Sequence, residues 1–104
     1  MARLPSSFRQ KNRTTESFRA LYAKLPSFVQ EACRSTCLIF DKDPTRNSLR
    51  THTLSQNSRG NHKDGSVSVS ISMTYRAIYV KGSDGKNVWY WIGTHADYDK
   101  FTGG

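Results

Sequence analysis

Two residues near the end of the chain have side chains that could act together on a phosphate ester. Arg76 interrupts the otherwise apolar segment YRAIYV, and His95 follows the apolar segment VWYWIG. A guanidinium binds two phosphate oxygens at once and offsets the charge that develops on phosphorus, while an imidazole titrates near neutral pH and can exchange a proton. RNA cleavage without a metal ion requires both functions, because the attacking 2′-hydroxyl loses a proton and the departing 5′-oxygen gains one. The alternative for each residue is a place on the solvated surface.

The other histidines are weaker candidates for proton transfer. His52 lies in LRTHTLS, a possible strand, and His62 lies in the polar segment 56–65, which we predict to be a mobile loop. No two histidines have the spacing of metal ligands and the acidic residues are scattered, so we expect no metal ion and no other cofactor. Cys33 and Cys37 share one face of a helical pattern but fit neither a CxxC motif nor a zinc site, so we expect two buried thiols.

The charge balance indicates a polyanionic partner. Sixteen Lys and Arg residues stand against eight Asp and Glu residues, which gives the 104-residue chain a net charge of +8. Aromatic residues make up 12% of the chain, more than in a disordered basic tail, so we expect one folded domain spanning residues 1–104. The partner could be a nucleic acid, an anionic membrane surface or an acidic protein. We expect a cytoplasmic protein, since no segment approaches the roughly 20 apolar residues of a membrane span and the N-terminus has no apolar secretion segment.

Two helices are predicted in the first half of the chain. The segment TTESFRALYAKL has apolar residues at helical spacing, and Thr14 or Thr15 can cap it. Pro26 ends this helix and begins a second one that reaches about Lys42. Before the helices, SSFRQ is predicted to be a short first strand.

Three consecutive antiparallel strands are predicted in the second half. SVSVSIS alternates strictly, so Val67, Val69 and Ile71 should face the core and the serines should face solvent. The strands YRAIYV and VWYWIG follow, joined by a hairpin with Asp84-Gly85 in its turn. The predicted fold class is α+β: a small antiparallel sheet has the two helices on one face, and its other face is partly open.

Aromatic residues are concentrated in the last third of the chain. Because neighbouring strand residues alternate, some of them should lie on the open sheet face, where they would suit stacking of RNA bases. Core packing is the alternative, and we expect it for at least half of the set. The set comprises Tyr75, Tyr79, Trp89, Tyr90, Trp91 and Tyr98.

The chain resembles the RelE/ParE superfamily of toxins from bacterial toxin-antitoxin pairs over nearly its whole length. The likeness lies in FRALYAKLP, FDKDPTRNSLRTHTL, SVSVSISMTYRAIY and VWYWIGTHADYDKF, and its most specific parts are YRAIY and WIGTHADYDKF. It implies a small twisted antiparallel sheet with two helices packed on one face. It also implies a co-expressed antitoxin as a partner, together with mRNA and the ribosome, and no membrane.

The resemblance further implies roles for individual residues. In the RNA-cleaving branch of the superfamily, Arg76 would bind the scissile phosphate, and His95 and Tyr98 would take part in acid-base catalysis or base stacking. The lysine-rich active site of the best-known member is not evident, so the general base stays open among His95, His52 and Tyr98. The further candidates for binding RNA phosphates are Arg50, Arg59, Lys63 and Lys100.

Other functions remain open at this stage. A second branch of the superfamily poisons DNA gyrase and cleaves nothing, and a non-catalytic nucleic-acid-binding module or an inactive relative would also be basic. Arg76 together with His95 favours RNA cleavage. Beyond the last strand, Asp97 or Asp99 is expected to orient the imidazole or to bind an arginine, while Tyr98 and Phe101 are expected to anchor the segment.

Overall fold

The computed structural model describes residues 3–54 and 60–103. In these residues, three α-helices pack against a five-stranded sheet, which confirms the α+β class. The helices are α1 (Glu16–Ala23), α2 (Ser27–Lys42) and α3 (His95–Phe101). The strands are β1 (Asn12–Thr14), β2 (His52–Thr53), β3 (Val67–Ser70), β4 (Tyr75–Lys81) and β5 (Asn87–Thr94). No helix in this part of the chain is long and apolar enough to cross a membrane.

The sheet is mixed rather than wholly antiparallel. Its strand order is β1-β5-β4-β3-β2; the pairs among β3, β4 and β5 are antiparallel, as predicted, β2 is antiparallel to β3, and β1 runs parallel to β5. The prediction of a first strand in SSFRQ was wrong, because Ser6–Gln10 form a 3-10 turn and the strand follows them. This turn begins after Pro5 and carries Phe8 into the core, where 1% of its surface is exposed.

The two predicted N-terminal helices are confirmed. Thr15 is the cap of α1, and its hydroxyl accepts a hydrogen bond from the Phe18 N–H at 3.1 Å. Pro26 lies at the start of α2. The side-chain amide of Gln30 donates to the backbone carbonyl of Tyr22 at 2.9 Å, and the Tyr22 hydroxyl donates to the backbone carbonyl of Gln30 at 3.3 Å. These bonds join the two helices across the proline.

The main core lies between these helices and one face of the sheet. Both cysteines are buried there as free thiols, as predicted, and a hydrogen bond with Cys33 together with burial raises the pKa of the Cys37 thiol. Phe40 packs edge-on against Trp89, with ring centroids 5.1 Å apart. The other large members of this core are Phe8, Phe18, Tyr22, Leu49, Val69 and Ile92.

The opposite face of the sheet is covered in part and open in part, as predicted, since the exposed His52 of β2 lies on it. A second apolar cluster lies on it and contains Leu54, Ile78, Tyr90, Trp91 and Tyr98. The cause is α3, which folds back onto the sheet: Trp91 stacks on Phe101 with ring centroids 5.1 Å apart, and it also contacts Tyr98 at 6.2 Å. The expected anchoring by Tyr98 and Phe101 is thereby confirmed. An irregularity in the β4–β5 register next to Ile78 accompanies the placement of two successive aromatic residues of β5 in this cluster.

The serines of SVSVSIS follow the predicted alternation but not the predicted exposure. Val69 and Ile71 are in the main core, whereas Ser66 and Ser68, expected in solvent, are fully buried on the other face. The Ser66 hydroxyl lies 2.6 Å from the Tyr90 hydroxyl, and burial of these small polar groups is tolerated because each has a hydrogen-bond partner. The second face is therefore polar as well as aromatic.

Candidate active site around Arg76

Arg76 lies on the α3-covered face of the sheet and is held by two other elements. In β4 it is paired with Ser70 of β3 and Gly93 of β5. Its Nη2 donates to the Ser68 hydroxyl at 2.8 Å and to the Arg50 carbonyl at 3.0 Å. These bonds fix the guanidinium against the sheet and against the turn that precedes β2.

The Arg50 carbonyl reaches Arg76 because the backbone is left-handed at that residue. Arg50 has a φ of 45°, which ends the 3-10 turn Asn47–Leu49. Such a conformation costs on the order of 1–2 kcal/mol in a residue with a side chain. Leu49, which precedes it, is buried in the main core at 1% exposure and so anchors the turn.

Tyr98 and His95 of α3 complete the row: Tyr98 contacts Arg76, and His95 contacts Tyr98. The guanidinium carbon of Arg76 lies 5.2 Å from the centre of the Tyr98 ring, within the range of a cation–π contact. The His95 ring stacks on Tyr98, with centroids 5.7 Å apart and an angle of 13° between the planes. Tyr98 is buried, while His95 is exposed, so the imidazole is the accessible end of the row.

The start of α3 determines where the imidazole lies. The Thr94 hydroxyl caps the helix by accepting from the Asp97 N–H at 3.1 Å, and the His95 N–H donates to the Thr74 carbonyl at 2.7 Å. His95 and Tyr98 are three residues apart in α3 and so share one helix face. No hydrogen bond or ion pair joins Asp97 or Asp99 to His95 or to an arginine among the described residues, so the expected pairing is not observed.

His52 belongs to the same face of the sheet as Arg76. It lies directly opposite Ser68 in the β2–β3 register, and directly opposite residues project to the same side. Ser68 is in turn the partner of Arg76. The structure therefore brings three of the predicted catalytic residues into contact and adds His52, exposed, on the neighbouring edge strand.

The other predicted phosphate ligands are more scattered. The Lys63 ammonium lies 5.7 Å above the Tyr90 ring, and the backbone N–H of Lys63 donates to the Tyr90 hydroxyl at 2.9 Å. Lys100 lines a depression of about 510 Å³ between α3 and the α1–α2 connection, which does not include Arg76. Arg50 contacts Arg76 through its carbonyl, and its side chain is exposed. Arg59 and the rest of 56–59, four of the ten residues of the predicted loop, lie outside the described residues.

The aromatic residues do not form an exposed stacking platform. Four of them, Trp89, Tyr90, Trp91 and Tyr98, are less than 10% exposed, which confirms core packing for more than half of the set. Tyr75 and Tyr79 are half-buried. Stacking on an RNA base at this site would therefore fall to the exposed His95 ring rather than to a row of aromatics.

Two parts of the site were missed from the sequence: the Ser68 hydroxyl and the Arg50 carbonyl. The serine was assigned to solvent from alternation alone. Pairing β3 with β4 in antiparallel register would have placed it on the side of Arg76, which is the signal that could have identified it. Across residues 3–54 and 60–103, no group of three or more His, Cys, Asp or Glu side chains is arranged to hold a metal ion.

The fold is shared with bacterial toxins of known structure. A chain of the toxin-antitoxin complex RelBE2 from Mycobacterium tuberculosis is 20% identical, with a TM-score of 0.62 over 82% of this chain and 96% of that one. YafQ from Escherichia coli is 17% identical, with a TM-score of 0.56 over 84% and 94%. A copper-bound mutant toxin from Helicobacter pylori is 15% identical, with a TM-score of 0.55 over 84% and 96%.

Neither a protein-family model nor a curated protein sequence matches the chain. At the identities above, the likeness to these structures establishes the fold. The resemblance to the RelE/ParE superfamily found in the sequence is thereby confirmed at the level of the fold, which is that of the RelE-like toxins.

Proposed function

We propose that this protein is the toxin of a toxin-antitoxin pair and that it cleaves mRNA in the cytoplasm, during translation on the ribosome, without a metal ion. The observation that supports this most directly is the contact row of Arg76, Tyr98 and His95 on one face of a RelE-like fold. A fixed cation and an accessible imidazole both contact one tyrosine ring there, and attack of a 2′-hydroxyl on the adjacent phosphate requires a cation and a proton-transfer group near each other.

In this mechanism Arg76 binds the scissile phosphate. Its Nη2 is engaged by Ser68 and Arg50, and its Nη1 makes no hydrogen bond to the described residues, which leaves that nitrogen for a phosphate oxygen. Because the guanidinium is already held, little reorganisation is needed as negative charge develops on phosphorus. Tyr98 acts as a positioning residue through its ring contacts with Arg76 and His95.

Proton transfer falls to the two exposed histidines of this face, His95 and His52. One imidazole takes the proton of the 2′-hydroxyl and the other protonates the departing 5′-oxygen, so a bell-shaped dependence of the cleavage rate on pH is expected. The products are a 2′,3′-cyclic phosphate and a free 5′-hydroxyl, since the 2′-oxygen displaces the 5′-oxygen from the same phosphorus. No other cofactor enters this scheme.

The proposed partners follow from charge and from the structural likeness. RelBE2 is a toxin-antitoxin complex, which supports a cognate antitoxin for this chain as well. A net charge of +8 suits both an acidic antitoxin and contact with ribosomal and messenger RNA. Binding to RNA should accordingly weaken steeply as salt concentration rises.

Controlled expression in a bacterium tests the proposal. Primer extension on abundant messages is combined with a gyrase supercoiling assay on the same lysate, for the native chain, for Arg76→Ala and for Arg46→Ala, an exposed arginine outside the site. We expect growth arrest with new cuts in translated messages, lost in Arg76→Ala and kept in Arg46→Ala. Arrest with intact messages and blocked supercoiling would replace the proposal with gyrase inhibition, and normal growth on expression of a folded chain would refute the toxin role.

A further inference from the structure

A second concave site lies at the β1 edge of the sheet, and β5 separates this edge strand from β4, which carries Arg76. It is a cavity of about 560 Å³ beside the edge strand β1, between the 3-10 turn Ser6–Gln10 and α1. It lies on the face of the sheet that α1 and α2 cover, which we call the helix-covered face. We call it the β1 cavity. None of the residues assigned to the proposed active site lines it.

The rim of the β1 cavity is strongly basic. Its cations are Arg3, Arg9, Arg13, Arg19 and Lys86. Asp84, which lies 3.2 Å from the Arg13 guanidinium, is the one acid that forms an ion pair with this rim within the described ranges. The cluster thus keeps most of its charge unneutralised, and such a cluster favours an anionic ligand.

Several of these cations are held in place by the fold. The Arg19 Nη1 donates to the Thr14 carbonyl at 2.7 Å and contacts the Thr14 hydroxyl at 3.1 Å. The Lys86 ammonium donates to the Arg9 carbonyl at 3.5 Å. Side chains already fixed at the rim lose less conformational entropy when they bind carboxylates.

The floor of the β1 cavity is apolar and leaves little to read a nucleotide base. It is formed by Leu4, Phe8, Phe18 and Tyr22. The nearest amide, that of Asn12, is 1% exposed and is bonded within the protein: its nitrogen donates to the Phe8 carbonyl at 3.0 Å, and its oxygen accepts from the Asn87 amide at 3.1 Å and from the Trp89 indole at 2.9 Å. An RNA strand would match the rim, but its polar base edges would meet no partner on the floor.

A peptide matches both parts of the site. We propose that the β1 cavity binds an acidic segment of a partner protein, which places one bulky aliphatic or aromatic side chain on the apolar floor and its carboxylates against the basic rim. The floor supplies apolar burial and the rim supplies charge complementarity, a combination found at well-defined peptide grooves. This goes beyond the proposed function, because it concerns another face of the protein and requires no RNA cleavage.

A displayed library of short random peptides, selected on the folded full-length chain, tests the proposal. Two variants are compared with the native chain: Arg9→Glu/Arg19→Glu at the rim and Arg34→Glu/Lys42→Glu on exposed positions of α2, which change the net charge equally. Leu4→Ser, at a half-buried position, tests the floor. Thermal unfolding of each variant establishes that it is folded.

We expect enriched peptides that carry several Asp or Glu residues around one large apolar residue. Their affinity should fall about tenfold or more in the rim variant and in Leu4→Ser, and should change little in the α2 variant. Enrichment without acidic residues, equal loss in both charge variants, or displacement of the peptides by an oligoribonucleotide would each overturn the proposal. Because the readout is binding alone, it is independent of whether the chain cleaves mRNA.

Discussion

The two faces of the sheet are built from different kinds of side chain. The helix-covered face carries the main apolar core, in which Phe40 and Trp89 pack edge to face. The α3-covered face combines aromatic rings with buried serines and the guanidinium of Arg76. We infer that one face mainly supplies stability, while the other keeps polar groups in fixed positions at some cost in stability. Substitutions on the two faces should therefore separate folding from activity.

The largest effect is expected from Phe40→Ala on the helix-covered face. Phe40 is 3% exposed, and truncation of a buried phenylalanine costs about 3–5 kcal/mol because a cavity remains. Urea unfolding followed by circular dichroism should show this loss. A change below about 1 kcal/mol would mean that the helices contribute little to the stability of the sheet.

Arg76→Ala, on the α3-covered face, should have the opposite result: cleavage should be lost while the fold is kept. Loss of a preorganised cation in such reactions lowers the rate by about 10²–10³-fold, and we expect that loss of cleavage in a translation extract. The chain should remain folded in the same urea assay. Lys81→Ala, at the exposed end of the same strand, is the control and should cleave normally.

His95→Gln should reduce cleavage by about 10²-fold, because it removes one proton-transfer group and leaves His52 on the same face. The exposed position of His95 predicts an unchanged free energy of unfolding. The pH-rate profile of the variant should lose one of its two limbs. A profile that kept both limbs would assign the proton transfer to other residues.

Ser68→Ala should have a smaller effect, about tenfold on cleavage, because it removes one of the two hydrogen bonds that hold Arg76. Ser66→Ala is a matched control: it is another fully buried serine of the same segment, and its hydroxyl contacts Tyr90 instead. Both variants should lose similar stability. Equal loss of cleavage in the two would show that Ser68 supports only the fold.

The last prediction concerns alkaline pH and the face covered by α1 and α2. Burial raises the pKa of Tyr22 from 10.0 to about 12, so the folded chain holds this proton where the unfolded chain has lost it. The stabilisation is complete below about pH 10 and is lost as the pH rises toward 12. Tyr22→Phe should lose less stability than the native chain over that interval in urea titrations. An identical pH dependence in both chains would contradict this assignment.

The sequence was sufficient for features that depend on local pattern. Helical spacing and Pro26 predicted α1 and α2, and the interruption of an apolar strand predicted that Arg76 faces outward from the main core, where it contacts Ser68. The hairpin turn at Asp84-Gly85 was also predicted correctly, and Gly85 has the positive φ of 82° that such a turn requires.

Features that depend on distant contacts were not predictable in this way. Alternation in β3 shows which residues share a face, but Ser68 is buried against the guanidinium of Arg76, which another strand supplies. The parallel pairing of β1 depends likewise on contacts with β5, near the other end of the sequence. Local periodicity carries no information on either contact.

The contribution of Arg50 to the site is a peptide oxygen and not a side chain. An alanine scan removes only side-chain atoms, so it would leave this acceptor in place and would not detect its contribution. The oxygen would be displaced instead by a one-residue insertion or deletion in the turn before β2, which shifts the left-handed position along the chain. For this protein, the length of that turn is therefore under a constraint that the identity of its residues does not reveal.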